Sequence, residues 1–372
     1  MSLAQIAIDF PALARNFHTL EAISGVPVHP VVKANAYGLG ADRIARRLMR
    51  EGARVFFVAR YEEGLALRDA IGPECTIWVL DGATSTRSAF EMMLADLRPI
   101  LNGPEQLTHW AMAKGRPCGV HIDTGMNRLG FRVEDAPRDM AGVELVMSHL
   151  ACGDEPSHPM NRVQRDAFAA ATALYPGATR SFANSSGCFL GADFAFDAVR
   201  PGICLYGGGP EGRPDPRIQA VAAFLVTILQ IRDVPTGETV GYAGSYTATK
   251  PMRVATLAAG YADGVLRSNS PNGQVFVGGE LRPIVGRISM DLMAVDVTGL
   301  DVGVGDQVEL FGPNRLLDDA AAAAGTVAWE LLTAVGSRVG WTESANSRSE
   351  RRRAHAWARH LRPPEREGED EA

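Results

Sequence analysis

The sequence predicts an α/β protein: a (β/α)8 barrel of the TIM type, followed by a mostly β C-terminal domain. Two observations carry this prediction. Over about 180 residues of the first half, short β-branched runs alternate eight times with longer segments of helical period. After about residue 217 the helical period gives way to β runs broken by turns. We therefore expect domains at 1–216 and 217–342, and a charged, disordered tail at 343–372.

The barrel strands are predicted from buried-looking runs between helical segments such as Ala41–Ala53 and Pro159–Tyr175. An open, doubly wound sheet would also alternate, but eight units at this spacing favour closure. The eight predicted strands are Val28–Ala34, Arg54–Tyr61, Cys75–Leu80, Leu97–Leu101, Gly119–Asp123, Val143–Leu150, Ala178–Asn184 and Ala198–Tyr206.

In the C-terminal domain, runs such as AAFLVTILQIRDV, MRVATLAAG and QVFVGGELRPIVGRI predict strands. Gly278–Gly279 and the Pro-Asn-Gly at 271–273 are hairpin-type signals. In the last segment a basic block, SRSERRRAHAWARH, is followed by a separate acidic block. This charge pattern predicts a short helix at best, followed by the disordered tail.

Composition excludes several classes of protein. The 372 residues carry a net charge of −6 despite many arginines, which gives little support to nucleic-acid binding. The five cysteines show no Cys-x-x-Cys spacing, so we expect no disulfide framework and no metal site. No apolar run approaches the ~20 residues of a membrane span, and no signal peptide is apparent. A cytoplasmic protein without a membrane partner is expected.

In such a barrel, reactive groups lie where strands end. Lys33, in the run VVKANAYG, ends a buried-looking strand, and a desolvated amine is a good nucleophile for Schiff-base formation. An ordinary strand-end lysine that reaches water is the alternative. The chain has only two other lysines, Lys114 and Lys250, and both are expected at the surface.

Other strand ends carry groups that suit anions. Arg128 follows the fifth strand, where a guanidinium suits a carboxylate, and His149 ends the sixth, where a lone histidine is more often a hydrogen-bonded core residue than a catalyst. The small residues of Ala183–Gly187 and Val199–Ile203 suit the phosphate site usual after strands seven and eight. Together these residues suggest an aldehyde-bearing, phosphorylated cofactor.

At this point the chain resembles the alanine racemase family, enzymes that depend on pyridoxal 5′-phosphate and combine a fold-type-III barrel with a C-terminal β domain. Eight motifs in family order carry the resemblance up to about residue 341. They are VVKANAYGLG (31–40), DTGMNRLGF (123–131), SHLACGDE (148–155), ANSSG (183–187), RPGICLYG (200–207), VGYAGSYTA (240–248), AAGYADGVLR (258–267) and VGRISMD (285–291).

The resemblance implies roles for individual residues. Lys33 is the Schiff-base lysine and one catalytic base, and Tyr242 is the second base. The implied contacts to the cofactor phosphate come from Tyr37, Asn184, Ser185, Gly202 and Ile203. Arg200 is implied to face the pyridine nitrogen, Arg128 to contact the cofactor oxygen and the substrate carboxylate, and His149 to support this polar network. The Met290 amide is implied to contact the substrate carboxylate, and Tyr261 and Arg267 to line the entrance. The family's shared active sites imply a homodimer.

The implied chemistry interconverts L- and D-alanine through an external aldimine, supplying D-alanine for peptidoglycan. Moving a proton from one face of the α-carbon to the other requires two acid/base groups, and Lys33 and Tyr242 provide them. We expect desolvation to lower the lysine pKa, and positive neighbours, His149 and Arg128, to stabilise the phenolate. An arginine opposite the pyridine nitrogen disfavours its protonation and weakens the cofactor as an electron sink.

Two departures from the family pattern affect the predicted site. Many members have a carbamate-modified lysine that positions the arginine of the DTGM motif, whereas this chain has His121. We hypothesise that no carbamate forms and that another group positions Arg128. The tyrosine often found before the arginine at 338 is here Ser337, which leaves the width of the pocket open.

Three other interpretations stay open to different degrees. The chain could be a racemase of broader specificity that acts on serine or other small amino acids, and the width of the pocket decides this. A fold-type-III decarboxylase should place a carboxylate near the pyridine nitrogen, whereas this chain offers Arg200. A non-enzymatic cofactor-binding barrel would lack the second domain.

Overall fold

A computed structural model describes residues 2–138 and 140–345 of the protein. Among the strands before residue 217, β1 stands apart, and β2 to β7 form one parallel sheet in which each strand pairs with the next along the chain. Their bounds are β1 Ala4–Ile8, β2 Val55–Val58, β3 Thr76–Val79, β4 Leu97–Leu101, β5 Cys118–His121, β6 Val143–Met147 and β7 Thr179–Ser181.

Two extended segments close this sheet into a ring. Val31 forms a parallel bridge with Phe57 in β2, and Val28 forms one with Val199. On the other side, the amide of Arg200 donates a hydrogen bond of 2.8 Å to the chain just after β7. The prediction of a TIM-type barrel is therefore confirmed.

The first and eighth strands were predicted to be longer than the paired segments that the structure shows. Val28–Ala34 pairs only through isolated bridges, and a left-handed turn begins at Ala34. Ala198–Tyr206 likewise pairs through one bridge and continues into the 3-10 helix Ile203–Leu205. Burial produced the apolar signal in both segments, but the chain turns out of the barrel there, so the paired length is short.

Helices follow most of the barrel strands. The first begins at the Asp9 carboxylate, which accepts a hydrogen bond from the Ala12 amide at 2.9 Å, and ends at Gly25 in a left-handed conformation. The predicted helix Ala41–Ala53 ends earlier, at Arg50. The helices of this part are Phe10–Ser24, Ala41–Arg50, Tyr61–Ile71, Thr86–Leu94, Pro104–Trp110, Met160–Thr172 and Ala192–Ala195.

The C-terminal domain is mostly β, as predicted. Six of its strands form a closed antiparallel ring, in the order β8, β11, β14, β13, β12 and β15. The pairing of β15 with β8 closes the ring. The bounds are β8 Ala222–Val234, β9 Thr239–Val240, β10 Tyr246–Thr247, β11 Met252–Leu257, β12 Gln274–Val277, β13 Glu280–Val285, β14 Met293–Asp296, β15 Gln307–Phe311 and β16 Gly340–Glu343.

The turns and helices of this domain agree only partly with the sequence signals. Gly278 and Gly279, with φ of 59° and 89°, make the tight β12–β13 hairpin that was predicted. The turn at 271–273 instead leads into β12 from a 3-10 helix. Two short helices, Leu317–Ala323 and Ala328–Thr333, were not predicted, since runs of seven and six residues are too short to establish a helical period.

Strand β1 joins the start of the chain to the second sheet. Ile6 pairs antiparallel with Phe224 of β8 and parallel with Trp341 of β16. No strand was predicted at Ala4–Ile8, and a short β run does not reveal a partner about 220 residues away in sequence. Of the predicted tail at 343–372, the part after Ala345 lies outside the described residues.

All five cysteines are free thiols; four are buried and Cys152 is half-buried. Within residues 2–138 and 140–345, no helix combines the length and hydropathy that crossing a membrane requires.

Candidate active site

Lys33 lies where the first barrel segment ends in a left-handed turn. The next four residues, Ala34–Tyr37, have φ of 51°, 56°, 52° and 56°. This conformation costs a non-glycine residue about 1–2 kcal/mol, so surrounding contacts must hold the turn. The Gly38 amide donates to the Ala34 carbonyl at 2.7 Å. A Cβ on Gly38 would lie 2.7 Å from the Leu332 carbonyl, so the C-terminal domain packs directly on the turn.

The Lys33 amine has the environment of a nucleophile. The side chain is half-buried, and burial, followed by the charge of Arg128, lowers its pKa; Asp81 and Glu63 oppose this shift. A lowered pKa increases the fraction of free amine at neutral pH. Lys114 and Lys250 are exposed, as predicted.

A cradle of hydroxyl and amide groups lies beside this turn. The Ser185 hydroxyl oxygen accepts hydrogen bonds from the amides of Gly202 (2.9 Å) and Cys204 (3.3 Å), which leaves its hydrogen free to donate to an anion. A Cβ on Gly202 would lie 2.1 Å from the Tyr37 hydroxyl oxygen, so only glycine permits this approach. Ile203 begins the 3-10 helix that follows. The set of donors suits a phosphate.

Two further side chains complete the cradle. Asn184 accepts a hydrogen bond from the Gly187 amide at 2.9 Å and so shapes the loop after β7. The Tyr37 ring packs on Tyr206 with centroids 4.9 Å apart, and the side chain of Trp329 lies near its hydroxyl. Burial raises the pKa of Tyr37, so its phenol stays protonated and can donate.

Arg200 is a buried cation that crosses the barrel. It donates to the Ser181 hydroxyl at 2.6 Å and to the Ser148 carbonyl at 2.7 Å, and its guanidinium lies 5.8 Å from the Phe57 ring centroid. Burial lowers the pKa of Arg200 to about 10, which leaves it charged at neutral pH. Among the described residues no carboxylate forms an ion pair with it. An uncompensated buried cation of this kind suits a lone-pair acceptor in the site.

His149 is neutral in this arrangement. Burial, followed by the charges of Arg200 and Arg128, lowers its pKa well below 6.5. His149 was expected to be a positive neighbour that stabilises a phenolate, and its lowered pKa contradicts this expectation. Two nearby guanidinium groups make a third cation unfavourable, so His149 adds no positive charge to the site.

His121 is held in one tautomer by Asn102. Both side chains are buried, and Nδ1 of His121 lies 2.8 Å from Oδ1 of Asn102. The Asn102 amide nitrogen donates to the carbonyls of Leu80 (2.9 Å) and Ile100 (2.8 Å), so its oxygen must face the ring and accept. Nδ1 therefore carries the proton and Nε2 a lone pair. Burial and the charge of Arg200 lower the pKa of His121 to about 4, so the ring is neutral.

The loop that carries Arg128 is organised by one carboxylate. Asp123 accepts from the amides of Gly125 (3.0 Å), Met126 (2.9 Å) and Asn127 (3.1 Å). Arg128 follows with an exposed side chain at the barrel mouth, near Lys33. The structure therefore brings this arginine to the rim where the sequence analysis expected it.

Tyr242 lies in the C-terminal domain, on a short 3-10 turn, and 72% of it is exposed. It borders an open groove of about 440 Å³ whose wall includes Arg287, Ser289 and Leu292. Within the described residues, no hydrogen bond joins Tyr242 to the barrel-mouth groups of its own chain. The Tyr242 phenol thus lies on the surface of a single chain.

Tyr261 and Met290 are neighbours on two adjoining loops. The Tyr261 amide donates to the Ser289 carbonyl and the Ala262 amide donates to the Met290 carbonyl, both at 3.0 Å. A Cβ on Gly260 would lie 2.3 Å from the Ser289 carbonyl oxygen, which shows how closely the loops pack. Tyr261 and Met290 are 46% and 53% exposed.

Arg338 ties these two loops together. Its guanidinium contacts both Asp263 oxygens, at 2.6 and 3.0 Å, and lies 2.7 Å from Asp291. Arg267 is exposed on the following 3-10 turn, and Ser337 is also exposed.

The predicted residues thus fall into two groups. One group lies on the barrel segments and loops, as Lys33 does, whereas Tyr242, Tyr261, Arg267 and Met290 lie on the second domain. Sequence reasoning missed the supporting partners Ser148, Ser181, Asn102, Glu63 and Asp263. Ser148 and Asp263 lie inside recognised motifs, which is a usable signal, but Asn102 and Glu63 act through contacts that no spacing reveals.

Comparisons with known proteins agree with this arrangement. Residues 8–210 match the alanine racemase N-terminal domain, and residues 221–342 match the alanine racemase C-terminal domain. Alanine racemase of Jannaschia sp. is 41% identical over 342 residues, covering 91% of this chain and 98% of its own. Alanine racemase of Cereibacter sphaeroides is 43% identical over 348 residues, covering 91% of this chain and 97% of its own.

A solved structure shows the same likeness. Alanine racemase from Bartonella henselae with covalently bound pyridoxal phosphate superposes with a TM-score of 0.86 at 37% identity, over 92% of this chain and 100% of that one. One family therefore accounts for both domains of the chain. The chain belongs to the alanine racemase family.

Proposed function

We propose that the protein interconverts L-alanine and D-alanine with pyridoxal 5′-phosphate bound at Lys33. The single observation that carries the proposal is the half-buried Lys33, with a lowered pKa, beside an anion cradle in a chain of this family. When bound, the cofactor supplies an electron sink that acidifies the substrate α-hydrogen.

The residues present fit this cofactor. The Ser185 hydroxyl offers a donor beside Gly202, and the protonated phenol of Tyr37 lies at a position that a side chain on Gly202 would block. These groups would hold the phosphate, with Asn184 and Ile203 shaping its loops. Arg200 would face the ring nitrogen as a donor, and this favours the unprotonated ring.

Two bases would act on opposite faces of the substrate. The Nζ atom of Lys33 holds or releases the proton on one face, and the hydroxyl oxygen of Tyr242 does so on the other. Arg128 and the Met290 amide would bind the substrate carboxylate, and Tyr261 and Arg267 would narrow the entrance. His149 and His121, both neutral, would support this network without adding charge.

We infer a homodimer with shared active sites. Tyr242, Tyr261 and Met290 are exposed in one chain, although their proposed roles require contact with the substrate. A second copy that brings these residues to the Lys33 site of its partner satisfies both requirements. Sedimentation should therefore show a dimer.

The proposed site of action is the cytoplasm, where the enzyme would supply D-alanine for peptidoglycan. A second candidate is a racemase of broader specificity that also accepts serine. The observation that favours it is Ser337, a small, exposed residue where many relatives carry a tyrosine. A decarboxylase is disfavoured, because Arg200 and not a carboxylate crosses the barrel.

The test is to incubate the purified protein and pyridoxal phosphate with L-alanine and to resolve the enantiomers over time. We expect D-alanine to accumulate toward an equal mixture, and Lys33→Ala to abolish this. Lys114→Ala and Lys250→Ala are matched controls that should keep full activity, since both amines are exposed. Undiminished activity in Lys33→Ala would overturn the assignment, and serine in place of alanine tests the second candidate.

A further inference from the structure

One carboxylate outside the predicted site joins two barrel segments next to Lys33. Oε1 of Glu63 accepts a hydrogen bond from the Ala34 amide at 2.8 Å. Its other oxygen, Oε2, accepts from the amides of Ala59 (2.8 Å) and Arg60 (3.2 Å). Glu63 therefore links the end of the first barrel segment to the end of the second.

This contact holds the backbone on which Lys33 depends. Ala34 directly follows Lys33 and is the first residue with positive φ, so its amide direction decides where the left-handed turn begins. The backbone at this point also sets the direction in which the lysine side chain leaves the chain. Without an acceptor at Ala34, the extended conformation indicated by its sequence would compete with the turn.

Helix capping alone does not explain the arrangement. Glu63 is the third residue of the helix Tyr61–Ile71, and its contact with the Arg60 amide is an ordinary capping interaction. Capping uses Oε2 only. The contact from Oε1 to Ala34 spans 29 residues of sequence and contributes nothing to that helix.

Electrostatics supports the same role. Burial and Arg128 lower the pKa of Lys33, while Asp81 and Glu63 raise it. Glu63 is the one of these two acids that is fixed by three amide donors. Its charge therefore keeps a defined position relative to the amine.

We propose that Glu63 is a positioning residue for Lys33: its carboxylate fixes the left-handed turn and thereby aims the amine at the cofactor and the substrate. The inference rests on the proposed function. Glu63 does not touch the reacting atoms, so its removal should slow the chemical step without weakening alanine binding, which is assigned to Arg128 and Met290.

The experiment compares Glu63→Ala, Glu63→Gln and the control Glu62→Ala in the full-length, cofactor-loaded enzyme. Glu62 is exposed and is the neighbour of Glu63 on the same helix turn. Hydrogen exchange of residues 33–40 reports on the turn, and steady-state kinetics separate kcat from KM. For Glu63→Ala we expect faster exchange confined to this segment, and kcat lower by at least about tenfold with KM for alanine within about twofold of wild type.

Glu63→Gln tests the contact without removing volume. An amide side chain has one acceptor oxygen, so it can keep the Ala34 contact or the helix cap but not both. We expect a kcat between those of Glu63→Ala and wild type. This isosteric variant also replaces Glu63→Ala as the test if that variant does not fold.

Wild-type exchange in residues 33–40 together with wild-type kcat in Glu63→Gln and Glu63→Ala would overturn the inference. So would an equal rise of KM and fall of kcat, because this would indicate general damage to the site. If Lys33→Ala is inactive while the Glu63 variants behave as wild type, only this inference fails. If Lys33→Ala keeps activity, the proposed function itself fails.

Discussion

Replacing Gly202 with alanine tests the anion cradle most directly. The added Cβ would lie 2.1 Å from the Tyr37 hydroxyl oxygen and 2.8 Å from its ring carbon Cζ. The closest of these distances falls short of a roughly 3.5 Å contact by more than about 1 Å. Tyr37 has little room to yield, since it is 6% exposed and packs on Tyr206.

Two responses are available to the variant, and both are measurable. If Tyr37 stays, the strain destabilises the fold; if it moves, the cofactor phosphate loses a donor. Overpacking of this kind typically costs about 1–3 kcal/mol. We therefore expect the loss in unfolding free energy and the loss in cofactor-binding free energy to sum to about 1–3 kcal/mol. If the whole cost appears in binding, the Kd for the cofactor should rise roughly 5- to 150-fold.

Urea unfolding of the cofactor-free protein and titration with pyridoxal phosphate give the two quantities. Adding Tyr37→Phe to Gly202→Ala should relieve part of the strain, because the nearest atom then lies at 2.8 Å in place of 2.1 Å. Gly303→Ala is the control, since its Cβ would enter open space. If Gly202→Ala matches wild type in both measurements, the described approach of Tyr37 to Gly202 is incorrect.

Three further outcomes follow from the site. Tyr242→Phe should suppress racemisation while the visible absorbance of the Lys33-bound cofactor persists, and Tyr246→Phe on the adjacent strand should stay active; full activity in Tyr242→Phe would exclude this phenol as a base. Folding lowers the pKa of His121 from 6.5 to about 4, so between these pH values the imidazole is protonated in the unfolded chain but neutral in the folded one. Protonation therefore favours the unfolded chain, and about 3 kcal/mol of the unfolding free energy present above pH 6.5 should be lost as the pH falls toward 4. Urea unfolding at several pH values should show a shallower loss in His121→Gln, and an unchanged slope would refute this. Activity should not depend on bicarbonate, since His121 replaces the lysine that forms a carbamate, and assays in carbon dioxide-depleted buffer would expose any dependence.

Much of the fold was predictable because its signals are local. The alternation of strand and helix, and the glycine pair at 278–279, report directly on nearby structure. The pairing of β1 with β8 was not predictable in this way, since five residues with a β pattern carry no information about a distant partner. The left-handed turn was hidden for another reason: alanine and asparagine at 34–36 are compatible with several conformations, and tertiary contacts select among them.

The candidate site divides along the same line. Lys33, Arg128 and Ser185 were identifiable because motifs bring them to strand ends. The neutral charge state of His149 could not be identified from the sequence, because it depends on burial and on two guanidinium groups that only the fold brings close. Asn102 fixes the tautomer of His121 from 19 residues away in sequence, through two backbone carbonyls that only the folded barrel brings together.

The pairing of β1 with both β8 and β16 has a consequence for how the protein is made. The first strand leaves the ribosome early, but its partners are synthesised only after more than 200 further residues. Folding must therefore close a very long loop before the second domain is complete, a step that is slow for chains with distant contacts. A C-terminal domain produced without residues 1–8 would leave hydrogen-bonding groups of β8 uncovered, and such an open edge invites self-association. Separate expression of the two domains is thus expected to yield an aggregation-prone second half, whereas a fusion partner at the N-terminus must leave β1 free to insert.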